Sequence, residues 1–447
     1  MNVLRKDIDS CNAVLSLEIT KEDYSPKVEK TIKEYVKKAN IPGFRVGMAP
    51  KGLVNKMYGK AVLYEEVNKL VSESLFGYIK DNNINLLGEP MSNETEQKPI
   101  DFETDETFEF KFDIAIQPEI SVELSKKDKL PFYSIKITDE MVNSRVENFR
   151  AQFGSYEKVD EAQTDDLFKG NLLEIKPEGE PLEVLDAMLT PKYMKDEAQK
   201  TLFEGKKVGG KVTFNPVTAF ENEHEISSLL NISKDKVQDY NHDFEYEITE
   251  ITRHKPAELN QEIFDKVLGK DTAKDEKEFR TKLSETLAQS YLPDSDYKLL
   301  IDLKKIALEK VENVEFPVDF LKRWLAATQK EMTAEKLEQD FPAMLDFLKW
   351  DLIIKNLAKA NSIEISDENV LEMAKQEAQM RFAQYGMPNA PADILENYAN
   401  EMLKKDNAYD DFYRRALENR VLSVVKEQVT LTNKTVTVEE FNKLFEN

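Results

Sequence analysis

The residues best suited to binding chemistry lie in a short run bounded by glycine and proline. Pro42, Gly47 and Pro50 interrupt any helix or strand there, because proline lacks an amide donor and glycine adopts positive φ without steric cost. The run therefore predicts a loop, and this loop carries Phe44 followed by Arg45. Phenylalanine offers apolar area and arginine offers a rigid fork of donors, which together are typical of a binding hot spot. The alternative is that Phe44 packs against its own domain.

The loop lies in a basic segment of an acidic protein. The whole chain has a net charge of −23. Between residues 27 and 60, however, Glu29 and Glu34 are outnumbered by nine basic side chains: Lys27, Lys30, Lys33, Lys37, Lys38, Arg45, Lys51, Lys56 and Lys60. Such a local excess favours a polyanionic partner, with RNA as the leading candidate. A solvated, lysine-rich helix face is the alternative.

No other pattern predicts catalysis or a bound cofactor. His224, His242 and His254 lack metal-ligand spacing, and carboxylates are too abundant for any pair to be informative. Residues 205–211 nearly match a phosphate-binding loop, but Val212 stands where Ser or Thr would ligate magnesium, and a strand pattern follows. We therefore predict neither a metal nor another cofactor.

Composition predicts a soluble, cytosolic protein without a membrane segment. Cys11 is the single cysteine, which excludes an internal disulfide and favours a reducing compartment. Residues 1–10 lack the apolar run of a signal peptide, and no window approaches the ~18 to 20 apolar residues of a membrane span. At 447 residues the chain predicts about two to four domains.

Hydrophobic periodicity predicts the elements that hold the loop. Residues 13–19 alternate as a strand, and residues 24–39 and 62–79 repeat apolar side chains at helical spacing. Residues 107–117 alternate again and stop at Pro118. This order predicts an α+β module over residues 1–115, with two helices that present the loop.

The rest of the chain changes character twice. Residues 116–150 indicate a connector followed by a helix that begins near Thr138. Residues 151–250 contain short strand patterns at 172–175, 211–214 and 244–248. Residues 251–447 are predicted to be helical, with an interruption at Pro293 and a short strand or turn at 435–438.

The pattern G-F-R-x-G-x-x-P at residues 43–50, set between an amphipathic helix and a long one, resembles the signature loop of bacterial trigger factors. The resemblance covers essentially the whole chain. It implies a multidomain α+β fold: a ribosome-docking domain at 1–115, a connector at 116–150 that packs on the C-terminal domain, a degenerate FKBP-like, β-rich middle domain at 151–250, and an all-α, substrate-binding chaperone domain with helical arms at 251–447.

The resemblance also implies a function. The chain is expected to be an ATP-independent chaperone that docks at the exit tunnel of the large ribosomal subunit, touches a tunnel-exit protein and rRNA, and shields unfolded nascent polypeptides. By this resemblance, the residues expected to contact the ribosome are Gly43, Phe44, Arg45, Gly47, Pro50 and Lys51. Val46 stands where the family usually has lysine, which keeps open a chaperone without ribosome contact. A homodimer of the free protein is also left open.

The resemblance of residues 151–250 to an FKBP-like domain implies a second possible function. In this alternative the protein is a peptidyl-prolyl isomerase, and its helical domains deliver substrate to the middle domain. The family's Asp-Phe strand motif and its Ile-Pro-Gly-Phe run are absent here, so we expect weak or no turnover. The remnants of a prolyl pocket are Phe203, Phe214 and Phe220, with core packing as the alternative for each.

The helical region contains six methionines: Met332, Met344, Met373, Met380, Met387 and Met402. Methionine is unbranched and polarizable, so it suits a surface that accepts many shapes. The resemblance implies that this set lines a substrate cradle between helical arms. Ordinary helical core is the alternative.

Overall fold

A computed structural model describes residues 2–38, 40–42, 44–176, 178–329, 331–387 and 389–446. The chain forms two compact units. Unit 1 comprises Met1–Phe132 and Asp296–Thr432, and unit 2 comprises Tyr133–Ser295 and Asn433–Asn447. The four segments expected from the sequence are thus distributed over two units, and their boundaries stay a prediction.

The N-terminal part of unit 1 is an antiparallel sheet with two helices. The strands are β1 (Asn2–Asp7), β2 (Asn12–Ile19), β3 (Met91–Ser92) and β4 (Phe108–Ala115), in the order β1-β2-β4-β3. The helices are α1 (Lys21–Lys38) and α2 (Lys51–Asp81). The predicted alternation of β2 is confirmed, since Leu15, Leu17 and Ile19 are buried against Val67, Leu70 and neighbouring side chains of α2.

Unit 2 is built around a five-stranded antiparallel sheet. The residues of β5 (Lys129–Ile135) are divided between the two units. The chain of unit 2 then runs through α3 (Asp139–Gln152), β6 (Ser155–Lys158), β7 (Leu167–Glu174), β8 (Glu183–Leu189), α4 (Glu197–Thr201), β9 (Lys211–Phe214), α5 (Pro216–Ala219), α6 (Glu223–Leu230), β10 (Phe244–Lys255), α7 (Gln261–Leu268) and α8 (Glu276–Ser290). The sheet order is β6-β10-β7-β8, and β9 also pairs with β10. Thr138 caps α3 by accepting a hydrogen bond from the amide of Met141, as the sequence predicts.

The remaining chain is mostly helical. It comprises α9 (Leu292–Lys310), α10 (Val318–Thr328), α11 (Ala334–Ala360), α12 (Asp367–Gln384), α13 (Ala392–Leu403), α14 (Ala408–Gln428), β11 (Thr430–Val436) and α15 (Val438–Asn442). In unit 1, Ile120, Val122 and Leu130 share one core with side chains of α9, α10, α11 and α14. Burial of this apolar surface is what joins the early and late parts of the chain in unit 1.

Several strands escape the sequence patterns. The strands β1, β5, β6 and β8 were not predicted, and β11 is longer than the strand or turn expected at 435–438. In β8 the pairing with β7 shifts register, and Asp186 has a φ of 55°. This irregularity removes the strict alternation by which a half-buried strand is recognised.

Candidate functional site

The loop between α1 and α2 is closed by two tight turns. The amide of Phe44 donates to the carbonyl of Ile41 at 3.0 Å, and the amide of Met48 donates to the carbonyl of Arg45 at 2.9 Å. Gly47 has a φ of 82°, a backbone conformation that is strained for any residue with a Cβ atom. Gly43, part of the predicted docking set, lies outside the described residues. We call residues 44–48 the tip.

A small apolar core anchors the tip. Ile41, Ala49 and Val54 are buried together, and Val36, Leu53 and Tyr58 pack against them. This core takes residues from α1, from α2 and from both ends of the loop. The base of the loop is therefore held by packing on both flanking helices.

The side chains of the tip face solvent. Phe44 is 42 % exposed, and Arg45 is also exposed. Within the described part of the chain, no carboxylate lies within ion-pair distance of Arg45. Pro50 and Lys51, at the start of α2, are exposed as well. The aromatic ring and the guanidinium are thus both available to a partner.

Most cations of the basic segment are also unpaired. Lys27 pairs with Glu73 at 2.8 Å, Lys33 lies 3.8 Å from Glu29, and Lys60 pairs with Glu103. Among the described residues no carboxylate partner is found for these exposed lysines: Lys30, Lys37, Lys38, Lys51 and Lys56. A polyanion could bind them without first breaking an ion pair.

The three phenylalanines of the proposed prolyl pocket share one core, but only one of them lines a cavity. Phe203 and Phe214 are fully buried in the core of unit 2, where their rings meet edge to face at 5.2 Å between centroids. Both rings also contact Tyr246, whose pKa is raised by burial and whose hydroxyl donates to the carbonyl of Ala187 at 2.8 Å. These two phenylalanines therefore take the core role that the sequence left open.

Phe220 belongs to the same core and is 7 % exposed, but it also forms part of the wall of a cavity. The cavity has a volume of about 560 Å³ and is also lined by Met188, Leu189, Tyr193 and Leu229, with polar groups from α6. Phe203 and Phe214 are not among its lining residues. The sequence could not separate the three, because all are aromatic residues near short strands.

The methionines of the helical region differ in exposure. Met380 is 53 % exposed and Met387 is 51 % exposed, at the end of α12 and just after it. Met332, Met344 and Met373 are half-buried. Met402 is buried in the core between α12, α13 and α14, so it cannot belong to an open binding surface.

Further apolar side chains, which the sequence patterns did not single out, are exposed close in sequence to Met380 and Met387. Tyr385, Ile394 and Tyr398 are exposed on α13 and on the segment that joins it to α12. For Tyr385 the available signal was its position next to Gly386, just after the end of α12, because large apolar residues outside regular elements are often exposed. Ile394 and Tyr398 lie within α13 and gave no such signal. Together with Met380 and Met387 they form what we call the arm surface.

Neither a metal site nor a membrane span is found in the described residues. No group of three or more His, Cys, Asp or Glu side chains there could hold a metal ion. Of the helices described, none combines the length and apolar composition needed to cross a bilayer. After residues 205–211, the run similar to a phosphate-binding loop, the chain enters β9.

Three family models match the chain in succession. Residues 1–149 match "Bacterial trigger factor protein (TF)", residues 156–256 match "Probable trigger factor, FKBP-like domain", and residues 295–445 match "Probable trigger factor, C-terminal domain". The matches follow the order expected from the sequence. They leave out residues 150–155, residues 257–294, which contain α7 and α8, and the last two residues.

Curated relatives agree over nearly the full length. The trigger factor of Prosthecochloris aestuarii is 23% identical over 98% of this chain and 98% of its own length. Those of Helicobacter pylori (strain HPAG1) and Nitratiruptor sp. are 24% and 26% identical, over 96% and 90% of this chain and 95% and 93% of theirs.

A solved structure shares the fold. It represents a trigger factor chaperone studied for promiscuous substrate recognition in folding and assembly, and it aligns with a TM-score of 0.54 and 17% identity over 96% of this chain and 100% of that one. This structural similarity supports the fold of the chain. The family models and the curated relatives support its membership of the family. The chain belongs to the trigger factor family of chaperones, with an FKBP-like domain in the middle of its sequence.

Proposed function

We propose that this protein is a ribosome-associated, ATP-independent chaperone of the cytoplasm that docks through the tip and shields nascent polypeptides. One observation carries the docking proposal. Phe44 and Arg45 face solvent on a loop whose base is anchored by buried Ile41, Ala49 and Val54. An anchored loop presents its side chains with little further loss of conformational entropy on binding.

The chemistry of the tip suits a weak and reversible contact. Complete burial of a phenylalanine contributes roughly 1.5 to 3 kcal/mol, and a hydrogen bond from a charged group about 1.5 to 3 kcal/mol. Association costs about 4 to 15 kcal/mol in lost translational and rotational freedom. Phe44 and Arg45 alone therefore cannot hold the complex, and the unpaired lysines nearby supply a salt-dependent share.

The arm surface is proposed as a cargo-binding region. Met380 and Met387 are about half exposed, and Tyr385 is 84 % exposed. Methionine adapts its shape to different apolar partners, and tyrosine adds contact area. Such a surface suits the varied apolar segments of an unfolded polypeptide.

Prolyl isomerisation is the second candidate, supported by the cavity beside Phe220. Catalysis of this kind requires an apolar, water-poor pocket that stabilises the twisted amide more than either planar state. The cavity has apolar walls, but Asn222, His224 and Glu225 also line it. This mixture of groups favours a chaperone role over efficient turnover.

The docking proposal is tested with the double variant Phe44→Ala, Arg45→Ala. Its binding to ribosomes is measured by cosedimentation. We expect binding to fall by at least about tenfold, because both hot-spot side chains are removed. The matched control is Phe76→Ala, Lys80→Ala, which removes an exposed phenylalanine and an exposed lysine from α2 of the same module. Equal cosedimentation of the tip variant and wild type would refute docking through this loop.

The cargo proposal has its own test. Met380→Ser, Met387→Ser should reduce the ability of the protein to keep an unfolded model protein from aggregating, while ribosome binding stays at the wild-type level. The control is Met332→Leu, at a half-buried methionine, which replaces one apolar side chain by another of similar volume. This control variant should protect the unfolded protein from aggregation as well as wild type does. Undiminished protection by the serine variant would contradict the assignment of the arm surface.

A further inference from the structure

The strand β1 lies at one end of the N-terminal sheet, and its outer side is open. The sheet order is β1-β2-β4-β3, so β1 has a neighbour strand on one side only. Residues 2–10 are all exposed except Val3, which is half-buried. Leu4 is 62 % exposed and Ile8, just after the strand, is 57 % exposed. This exposure indicates that solvent reaches the outer side of β1.

The pairing of β1 with β2 determines which backbone groups lie on the open side. In an antiparallel pair, successive residues direct their N–H and C=O groups alternately toward the partner strand and away from it. The amide of Ile8 donates to the carbonyl of Asn12 at 2.8 Å, so the even-numbered residues of β1 bond to β2. The residues whose N–H and C=O groups point outward are Val3, Arg5 and Asp7. We call these groups the outer edge of β1.

The next strand pair agrees with this assignment. The amide of Ile116 donates to the carbonyl of Cys11 at 2.7 Å, so the odd-numbered residues of β2 bond to β4 and leave the even-numbered ones for β1. Among the described residues, no backbone hydrogen bond to the outer edge of β1 is found. Its donors and acceptors are therefore available to a partner.

The strand β1 lacks most of the features that keep exposed edges from pairing. Its six residues contain no proline, and their register with β2 has no bulge. Its charged side chains are already paired within the protein: Arg5 lies 2.6 Å from Asp7, and Lys6 lies 3.0 Å from Glu96. A straight, open edge of this kind is a template for a further strand.

A second copy of the chain is a poor occupant of this edge. If two β1 strands paired antiparallel through all of their outward groups, the Arg5 side chains of the two copies would lie directly opposite each other, and Val3 would lie opposite Asp7. Like charges in opposite positions destabilise a pair of strands. A segment of unfolded polypeptide meets no such conflict, because backbone hydrogen bonds form with any sequence except at proline.

We infer that the outer edge of β1 binds an extended segment of an unfolded polypeptide as an added strand. The inference rests on the proposed chaperone function and gives it a second binding site, which recognises the backbone of the cargo. Leu4 offers apolar contact to the side chain opposite it in the added strand. Affinity at this site then depends on how readily the cargo adopts an extended conformation.

Hydrogen exchange of the full-length chain, followed by mass spectrometry, locates the bound segment. The probe is a short peptide of alternating valine and threonine with lysine ends, which favours extended structure and resists self-association. In the free protein the outward amides of Val3, Arg5 and Asp7 exchange freely, whereas their neighbours are protected by β2. We expect the peptide to lower the deuterium uptake of residues 2–9 by up to these three amides. Unchanged uptake there, whether or not the peptide binds elsewhere, overturns the inference.

A proline variant tests the same contact through the affinity for the labelled peptide, measured by fluorescence anisotropy. Arg5→Pro removes one outward amide and no hydrogen bond to β2, and proline is tolerated at such positions of edge strands. The matched control is Arg5→Val, which removes the same charged side chain but keeps the amide. We expect Arg5→Pro to weaken binding by about tenfold and Arg5→Val to bind like wild type. Equal affinities of the two variants overturn the inference.

Three comparisons complete the design. Equal thermal midpoints of Arg5→Pro and Arg5→Val exclude unfolding as the cause of a loss. If the uptake of residues 2–9 falls with rising protein concentration in the absence of peptide, a second copy occupies the edge and the inference is overturned. If the wild-type chain does not keep an unfolded protein from aggregating, the proposed function fails and the inference fails with it. If it does so while the peptide leaves the uptake of residues 2–9 unchanged, only the added strand is refuted.

Discussion

The indole N–H of Trp350, in α11, donates a hydrogen bond of 2.6 Å to a carboxylate oxygen of Glu418, in α14. Trp350 is 4 % exposed and lies in the large core of unit 1. The bond therefore satisfies a buried donor and joins two helices that are far apart in the sequence. A buried donor left without an acceptor costs more free energy than the bond contributes while it is made.

Glu418→Ala should destabilise unit 1 by about 1 to 3 kcal/mol, because the indole N–H loses its acceptor. The midpoint of urea unfolding, followed by tryptophan fluorescence, measures the effect. Both tryptophans, Trp324 and Trp350, belong to unit 1, so the signal reports this unit. Glu427→Ala, at an exposed position of the same helix, should change stability by less than about 0.5 kcal/mol. Equal midpoints for the two variants would show that the bond has no energetic role.

Gly88→Ala should destabilise unit 1 and perturb the emission of Trp324. Gly88 has a φ of 82°, and a Cβ there would lie 2.9 Å from Cδ2 of the Trp324 ring. The backbone strain alone costs about 1 to 2 kcal/mol. Gly77→Ala, inside α2 with open space around the new Cβ, should instead raise stability by about 0.5 to 1 kcal/mol. A Gly88→Ala protein as stable as wild type would mean that the indole moves aside freely.

The lysines at the end of α1 should determine much of the salt dependence of ribosome binding. Lys37→Gln, Lys38→Gln removes two exposed cations that lack a carboxylate partner in the described part of the chain. We expect the slope of log affinity against log salt to fall by about one per lysine that contacts phosphate. The control Lys404→Gln, Lys405→Gln makes the same charge change at the end of α13 and should keep the wild-type slope. Identical slopes for both variants would exclude α1 from the polyanion contact.

The full-length protein should accelerate prolyl isomerisation of a model peptide weakly or not at all. The cavity beside Phe220 includes polar lining residues, and Tyr193 at its edge is 68 % exposed, so water is not excluded. A protease-coupled peptide assay measures the rate. Strong acceleration that Phe220→Ala abolishes, with unchanged thermal stability, would instead establish an isomerase.

The pair of Asp128 and Lys310 should add acid-sensitive stability to unit 1. Nζ of Lys310 lies 2.8 Å from Oδ1 of Asp128. The hydrogen bond from Lys310 holds the pKa of Asp128 below its ordinary value of 3.8, despite the opposing effect of desolvation. Since the folded pKa is the lower one, the contribution is present above the unfolded value and is lost as the pH falls through the folded value.

Asp128→Asn should therefore lower the urea midpoint at pH about 6, and the difference from wild type should shrink below pH about 3.8, where the carboxyl is protonated in the unfolded chain. Asp346→Asn, which makes the same change at an exposed position of α11, serves as the matched control. A difference between wild type and Asp128→Asn that stays constant down to pH about 2 would rule out this linkage.

Elements with one buried face could be predicted from the sequence. The strand β2 and the helix α2 each repeat apolar residues at their own period, because each buries one face in the same core. The helix start at Thr138 was predictable for a local reason, since the cap lies within three residues of the amide it binds. The strands β1 and β8 were not predictable, because their identity depends on a neighbour strand and their side chains are mostly exposed.

The same distinction applies to the candidate sites. The sequence alone determined that residues 42–50 form a loop, because proline and glycine act on their own backbone. Only the tertiary structure decided that Phe44 faces solvent while Phe203 and Phe214 are buried, since exposure depends on what other segments bring against a ring. For Phe44 the anchoring residues Ile41, Ala49 and Val54 meet beneath it, and for Phe203 and Phe214 the strands of unit 2 close around them. Backbone preference is local, whereas burial is a property of the assembled core.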